Sequence, residues 1–310
     1  MLYFTVNEKS KSGNAKQIWK EIEEVLKVRN VSYQAFVSEY RGHAGKLAAE
    51  ICAMDDNDIC LVAVGGDGTA NEVINGITDF EKVRFGVIPT GSGNDLARGL
   101  SLSKDPKNGA IHILNAMKKS REDTWCMDLG EVNFGEKKRL FAISAGIGLD
   151  ALVCKKALKS TIKDILNKIR LGKLTYLVLT VQSLFTMQTA DAEIFFDREE
   201  GLQKKRMIFT AAMNFKAEGG GVPMAPAASA CDGKLSFCEA AGIPKWRTFL
   251  CLPFLVAAKH TSIHGFSVTD AKDCTIRLSR PLVVHADGEY CGEVTEVHFH
   301  CLPGKLRVLK

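Results

Sequence analysis

Three short runs carry the residues most able to do chemistry. Gly65-Gly66-Asp67-Gly68-Thr69-Ala70-Asn71 follows the unbroken apolar run Ile59–Val64. Glycines let main-chain N–H groups close on phosphate oxygens, and a helix starting there offers the positive end of its dipole. The run is neither a G-x-x-x-x-G-K-[ST] loop nor G-x-G-x-x-G, and a plain strand-to-helix turn would use the same residues. Pro89-Thr90-Gly91-Ser92-Gly93-Asn94-Asp95 repeats the arrangement after Phe85–Ile88, although Asn94 or Asp95 would also serve as a helix N-cap. Far downstream, His285-Ala286-Asp287-Gly288-Glu289 sets carboxylates on a turn. One of them could take a proton from a hydroxyl; equally, Asp-Gly between strand-like runs marks a tight hairpin.

The elements that must position these runs change character along the chain. Strand and helix alternate at first: Leu2–Val6, Gln17–Lys27, Val31–Val37, Ala44–Met54, Ile59–Val64, a helix over Glu72–Ile77, then Phe85–Ile88. Continuous apolar strands joined by helices imply a parallel sheet. Two glycine-rich loops at the carboxyl ends of such strands converge where doubly wound sheets bind ligands. After about Thr124 strand-like runs dominate: Met127–Phe134, Leu140–Ser144, Ala192–Phe196, Met207–Asn214, Lys234–Ala240, Phe266–Leu278 and Val294–His300. The expected fold class is α/β, with an N-terminal doubly wound parallel-sheet nucleotide-binding lobe and a C-terminal, largely antiparallel β-sandwich-like lobe. The expected division is 1–124, which a tail at about 302–310 could join, against 125–301 with a helical insertion at about 149–187.

Composition narrows the class. At 46% hydrophobic and 25% charged residues, 310 residues can bury a full core, and a net charge of +5 tolerates an anionic ligand without demanding one. The ten cysteines are scattered, with no C-x-x-C pair, which fits a reducing cytosol better than a disulfide scaffold. No run reaches the roughly 20 apolar residues of a membrane span, so a cytoplasmic protein, at most transiently peripheral to a membrane, is expected. Lys155, Lys156, Lys159, Lys163, Lys168, Arg170 and Lys173 surround Ile162, Ile165, Leu166 and Ile169 at helical spacing. A basic amphipathic helix over 155–173 would suit an anionic bilayer, or pack on the β lobe with a solvated face. His285, His298 and His300 could meet on one sheet, but no fourth ligand stands at useful spacing for zinc.

GGDGTANEVINGI followed by GVIPTGSGNDLARGL resembles the diacylglycerol-kinase catalytic domain, and more narrowly the bacterial lipid kinases related to sphingosine and ceramide kinases. MDLGEVN, FAISAGIGLDA, NFKAEGGGVPMAPAASACDGKLSF and HADGE extend the likeness in order along nearly the whole chain. The resemblance implies ATP as phosphoryl donor and Mg2+. It implies nucleotide contacts at Asn7, Ser12, Gly13, Ser38, Gly65, Gly66, Asp67, Gly68, Thr69, Asn71, Gly91, Ser92 and Asn94, with Glu8 standing where the family has proline. Glu289 matches the proton acceptor, Asp128 an acid that links this glutamate to magnesium through water, and Asp67 an acid helping to hold the metal nucleotide. Asp232, with main-chain oxygens of Ser229 and Lys234, matches a separate magnesium loop.

The expected reaction is phosphorylation of a lipid hydroxyl, diacylglycerol by default, without a nucleic-acid partner. A kinase of a soluble compound such as a nicotinamide dinucleotide, and a silent nucleotide- or lipid-binding regulator, are the alternatives. Pairing of β edges into a homodimer stays open. The lipid reading requires the glycine loops and Glu289 to face one crevice.

Overall fold

The computed structural model describes residues 1–10, 15–159, 172–197 and 200–310. They fold into two compact units, one of Met1–Leu129 with Pro303–Lys310 and one of Gly130–Leu302.

In the first unit, β1 (Leu2–Val6), α1 (Ala15–Val28), β2 (Tyr33–Val37), α2 (His43–Cys52), β3 (Ile59–Gly65), α3 (Asp67–Gly76), β4 (Val83–Pro89), α4 (Asp95–Gly99) and α5 (Pro106–Ala116) succeed one another. The strands lie in the order β2-β1-β3-β4, all parallel, and Arg307–Val308 of the last strand adds in parallel beside β4. Every residue of β1, β3 and β4 is buried, as continuous apolar runs require when helices cover both faces. Helix α1 presents Ala15, Trp19, Ile22 and Leu26 at helical spacing, and the Trp19 ring meets Phe4 edge-on at 5.1 Å.

Helices α2 and α3 approach through glycines. A Cβ added at Gly76 would sit 2.0 Å from the Gly45 carbonyl oxygen, so only glycine lets the two backbones come this close. That contact fixes the far end of the helix whose first turn is the glycine motif. Helix α3 begins at Asp67, not at the expected Glu72: Gly66 is extended, and Asp67 places a favourable acid in the first turn. Helix α5 is not among the expected elements, although its Asp105-Pro106 start is a cap followed by proline at the first helical position; Asp105 accepts from Asn108 N–H at 2.8 Å.

The second unit is mostly antiparallel. It contains the end of β5 (Trp125–Phe134), β6 (Lys137–Phe141), β7 (Ser144–Gly148), α6 (Leu149–Lys159), α7 (Gly172–Thr186), β8 (Ala190–Phe196), β9 (Leu202–Met207), β10 (Phe209–Met213), β11 (Leu235–Ala240), α8 (Lys245–Val256), β12 (Phe266–Ala271), β13 (Asp273–Ala286) and the start of β14 (Glu289–Val308). The order β12-β11-β10-β7-β13-β14 forms its main sheet, with β8 and β9 added beyond β13. Alternate residues separate two cores: Phe209, Ala211 and Met213 of β10 join Leu149, Leu184 and Leu255 from the helices, while Ala212 joins Phe237 and Phe299 on the other face.

Two runs expected as single strands are each broken in two. Leu140–Ser144 splits between β6 and β7 because the N–H groups of Ala142, Ile143 and Ser144 turn to the Asp287 carboxylate. Phe266–Leu278 splits between β12 and β13 because Lys272 and Asp273 donate to Asp197 Oδ1 at 2.9 and 2.8 Å. Helix α8 is also new, within a stretch notable in sequence only as too short to span a membrane.

Replacing Gly76 by alanine is expected to lower unfolding stability by about 1–3 kcal/mol, the ordinary cost of overpacking. A urea titration checks it; an unchanged midpoint would show that α2 and α3 are not locked at this contact.

Candidate active site

In the first unit the glycine-rich loops lean on each other. The main chain runs from β3 through Gly66, which has no side-chain cap to offer, directly into α3. A Cβ at Gly91 would lie 2.7 Å from Gly66 Cα, so the loops touch backbone to backbone. Thr90 N–H donates to Gly65 O at 2.8 Å, continuing the pairing of β4 with β3 into the loops.

Asp67 ties the loops further. Its Oδ2 accepts from Asp95 N–H and its Oδ1 from Leu96 N–H, both at 3.1 Å, so it caps the start of α4 across the loop boundary. Burial pushes its carboxyl above the ordinary range, against these N–H donors and the Arg98 charge, which act to hold it down. Asn94, at φ 53°, braces its own loop: its Oδ1 accepts from Gly91 N–H at 2.9 Å and its Nδ2 donates to Gly91 O at 2.8 Å. Asn7 donates to Thr69 Oγ1 at 3.0 Å, joining the first turn of the chain to the same loop. Ser38 is buried and donates to Val6 O at 3.4 Å, Asn71 is buried on α3, and Ser92 is exposed. Gly68 lies in the first turn of α3, half-buried. Asp128 is buried in this unit, where its Oδ1 accepts from Gly304 N–H at 2.6 Å and so holds the final segment of the chain.

In the second unit, β13 and β14 meet in a hairpin with Ala286 opposite Glu289. Asp287 and Gly288, at φ 48° and 81°, form its two-residue turn, which requires positive φ at both positions. Asp287 also anchors the turn, for its two oxygens accept from three successive N–H groups, those of Ala142 and Ile143 at 2.8 Å and of Ser144 at 3.1 Å. Glu289, half-buried, is the first strand residue after this fixed turn.

Behind the turn lies a group that sequence reasoning missed. Asp150, Glu218 and His285 bring ligand-type atoms within 4.8 Å of one another. His285 Nε2 lies 3.1 Å from Asp150 Oδ2, and Gly288 N–H donates to His285 Nδ1 at 3.2 Å. With Nδ1 accepting, the ring proton sits on Nε2 and donates to Asp150. Metal binding through Nε2 would displace the Asp150 contact, and Nδ1 already accepts from Gly288 N–H, so both ring nitrogens are engaged in hydrogen bonds. Glu218 accepts from the Ser144 hydroxyl. Burial pushes its carboxyl up; the Asp150 and Asp287 charges add to this, while His285 and Ser144 oppose it. These residues lie at least 67 positions apart in sequence, with no spacing to betray them.

Residues 1–127 match the family described as diacylglycerol kinase catalytic domain, and residues 144–310 match the YegS C-terminal NAD kinase beta sandwich-like domain. The chain belongs to the diacylglycerol kinase family. A Bacillus subtilis (strain 168) protein named "Putative lipid kinase YtlR" is 29% identical over 99% of this chain and 98% of its own length. A crystal structure described as a "putative diacylglycerol kinase" from Bacillus anthracis str. Sterne superposes with a TM-score of 0.77 at 21% identity, covering 99% of this chain and 96% of the other. An NAD kinase from Archaeoglobus fulgidus in complex with ATP shares the fold, with a TM-score of 0.55 at 14% identity, over 100% of this chain and 94% of the other.

As a member of the diacylglycerol kinase family the protein is a lipid-kinase-type phosphotransferase, and the remaining sequence candidates can be placed. Ser229, Asp232 and Lys234 lie on the loop before β11; Asp232 is exposed, and its Oδ1 accepts from Lys234 N–H at 3.1 Å. Ser12 and Gly13 lie outside the described residues, as does most of the basic segment 155–173, from 160 to 171. His298 and His300 both contact Asp273 Oδ1, at 3.3 and 2.7 Å, and His285 is engaged instead by Asp150.

Glu218→Gln should separate the cost of charge at this position. A carboxyl raised by burial contributes stability that is complete below its ordinary value of 4.5 and is lost as pH rises through its raised value. The stability of Glu218→Gln relative to the parent is therefore expected to grow as pH is raised from about 5 to about 8. Urea unfolding across that range checks it, and a pH-independent difference would contradict the assignment.

Proposed function

We propose that this protein transfers the γ-phosphoryl group of magnesium-ATP to the hydroxyl of a membrane lipid, with diacylglycerol as the leading acceptor and phosphatidic acid as the product. The observation that carries the reading is the closure of two glycine loops on each other at the ends of parallel strands, in a chain of the diacylglycerol kinase family. Such loops set main-chain N–H groups and the positive end of α3 where phosphate oxygens need them.

Phosphoryl transfer asks little covalent chemistry of the protein, so positioning and electrostatics supply most of the rate. In this proposal Gly65, Gly66, Gly68 and Thr69, with Gly91 and Ser92, cradle the phosphates. Asn7, Ser38, Asn71 and Asn94 hold the surrounding main chain. Asp67 acts chiefly by locking α4 to α3, because both its oxygens already accept N–H groups. Glu289 takes the proton of the lipid hydroxyl, its position set by the Asp287-Gly288 turn. Asp128 anchors the final segment of the chain beside the nucleotide unit's sheet and contributes negative charge toward a metal.

Magnesium fits the donor chemistry on the second unit's loop: Asp232 faces water, and with main-chain oxygens of Ser229 and Lys234 it offers an all-oxygen set. Bound there, the ion would stabilise the loop. The shared fold with a dinucleotide kinase speaks for nucleotide chemistry and does not bear on the acceptor.

Glu289→Gln is expected to lower phosphorylation of diacylglycerol in detergent micelles by about 10²–10⁴-fold, the usual loss of a general base, with ATP affinity preserved. Full turnover in a folded, ATP-binding variant would remove Glu289 from the mechanism. Asp232→Asn should leave ATP binding intact and weaken magnesium-dependent thermal stabilisation; equal stabilisation by magnesium would dismiss the loop as its site.

A further inference from the structure

Helix α8 is apolar on both sides. Thr248, Cys251 and Leu255 turn inward, spaced i, i+3, i+7. Trp246, Phe249, Leu250, Pro253 and Phe254, spaced i, i+3, i+4, i+7, i+8, turn to water, with Trp246 59% and Phe254 50% exposed. A stripe of this spacing normally faces a core. Helix α7 extends it: Leu177, Val178 and Phe185 are exposed, and the Phe185 ring lies 6.0 Å from that of Phe249. The Lys245 ammonium donates to the carbonyls of Phe185 and Met187, fastening the start of α8 to the end of α7. The two helices thus hold one contiguous apolar surface, larger in kind than the scattered exposed hydrophobics ordinary on a protein.

Charge says what covers it. No Asp or Glu occurs from residue 172 to 190 or from 240 to 269, and Arg247 and Lys259, both exposed, flank the stripe. An apolar face with an aromatic belt residue and cationic borders matches the boundary of an anionic bilayer, where rings enter the acyl region and cations meet headgroups. Helices of 15 and 12 residues are too short to cross a membrane, and among the described residues no helix is long and apolar enough to do so.

We infer that the exposed face of α7 and α8 is the surface by which this protein lies on anionic membranes. The choice of partner rests on the lipid-kinase reading, since a bilayer is where its acceptor resides. The docking surface is assigned to this helix pair by its exposure and its lack of acidic charge.

The test is co-flotation of the full chain with vesicles of phosphatidylcholine, with and without phosphatidylglycerol, and no nucleotide present. The parent protein is expected to float with the anionic vesicles. The combined Phe249→Ser and Phe254→Ser variant should lose at least about tenfold in partition, as should Arg247→Glu with Lys259→Glu. Val28→Ser, at a still more exposed apolar residue on α1, should bind like the parent. Failure of the parent to bind, or parent-like binding by both double variants, would overturn the inference. A solution dimer dissociated by the phenylalanine changes would also overturn it, by giving the face to a second copy. Phosphorylation of diacylglycerol in detergent micelles keeps the two readings apart. If the lipid-kinase reading fails, no lipid is phosphorylated there by any variant; if only the docking surface is wrong, micellar activity persists while vesicle binding ignores the substitutions.

Discussion

A main-chain N–H taken out of a helix or sheet and away from water needs an acceptor, and in this protein distant aspartates supply it at the breaks that matter. Asp67 receives the first N–H groups of α4, Asp287 those of Ala142 to Ser144, and Asp197 those of Lys272 and Asp273. Each carboxylate fixes a place where regular structure stops. A carboxylate accepting N–H donors is a strong, charge-assisted hydrogen-bonding partner, so loops that would otherwise fluctuate are held in one geometry.

For phosphoryl transfer that constraint is central, because the rate comes from groups already in position. The glycine contact between Gly66 and Gly91 brings two loops together, and the Asp67 carboxylate keeps them so. In the other unit, the Asp287 anchor and the Gly288 bond to His285 prevent the hairpin tip from rotating, which defines where Glu289 projects. The Asp150, His285 and Glu218 group supports that turn from behind, with His285 buried and the two carboxylates half-buried. Its hydrogen bonds engage both ring nitrogens of the histidine in the turn motif.

Much of this was legible in sequence, for local reasons. Continuous apolar runs at Ile59 and Phe85 declared buried parallel strands, glycine clusters declared the loops after them, and Asp287-Gly288 declared a hairpin. What escaped has a common cause. The partners of Asp67 lie 28 and 29 residues ahead, and those of Asp287 lie 143 to 145 residues behind. Hence the sequence offered Asp67 as a metal or catalytic acid and gave no sign that both its oxygens also cap α4. The strand breaks at Ala142 and Lys272 were invisible because only tertiary acceptors create them. Glu218 carried no signal beyond the three glycines that follow it.

The destination of the phosphoryl group defines the reaction. Incubating the protein with ATP labelled at the γ-phosphate, magnesium, mixed micelles containing diacylglycerol, and free nicotinamide dinucleotide in the same tube measures this directly. Label recovered in the lipid fraction as phosphatidic acid is the predicted result. Label confined to the dinucleotide, or released only as inorganic phosphate, would contradict it.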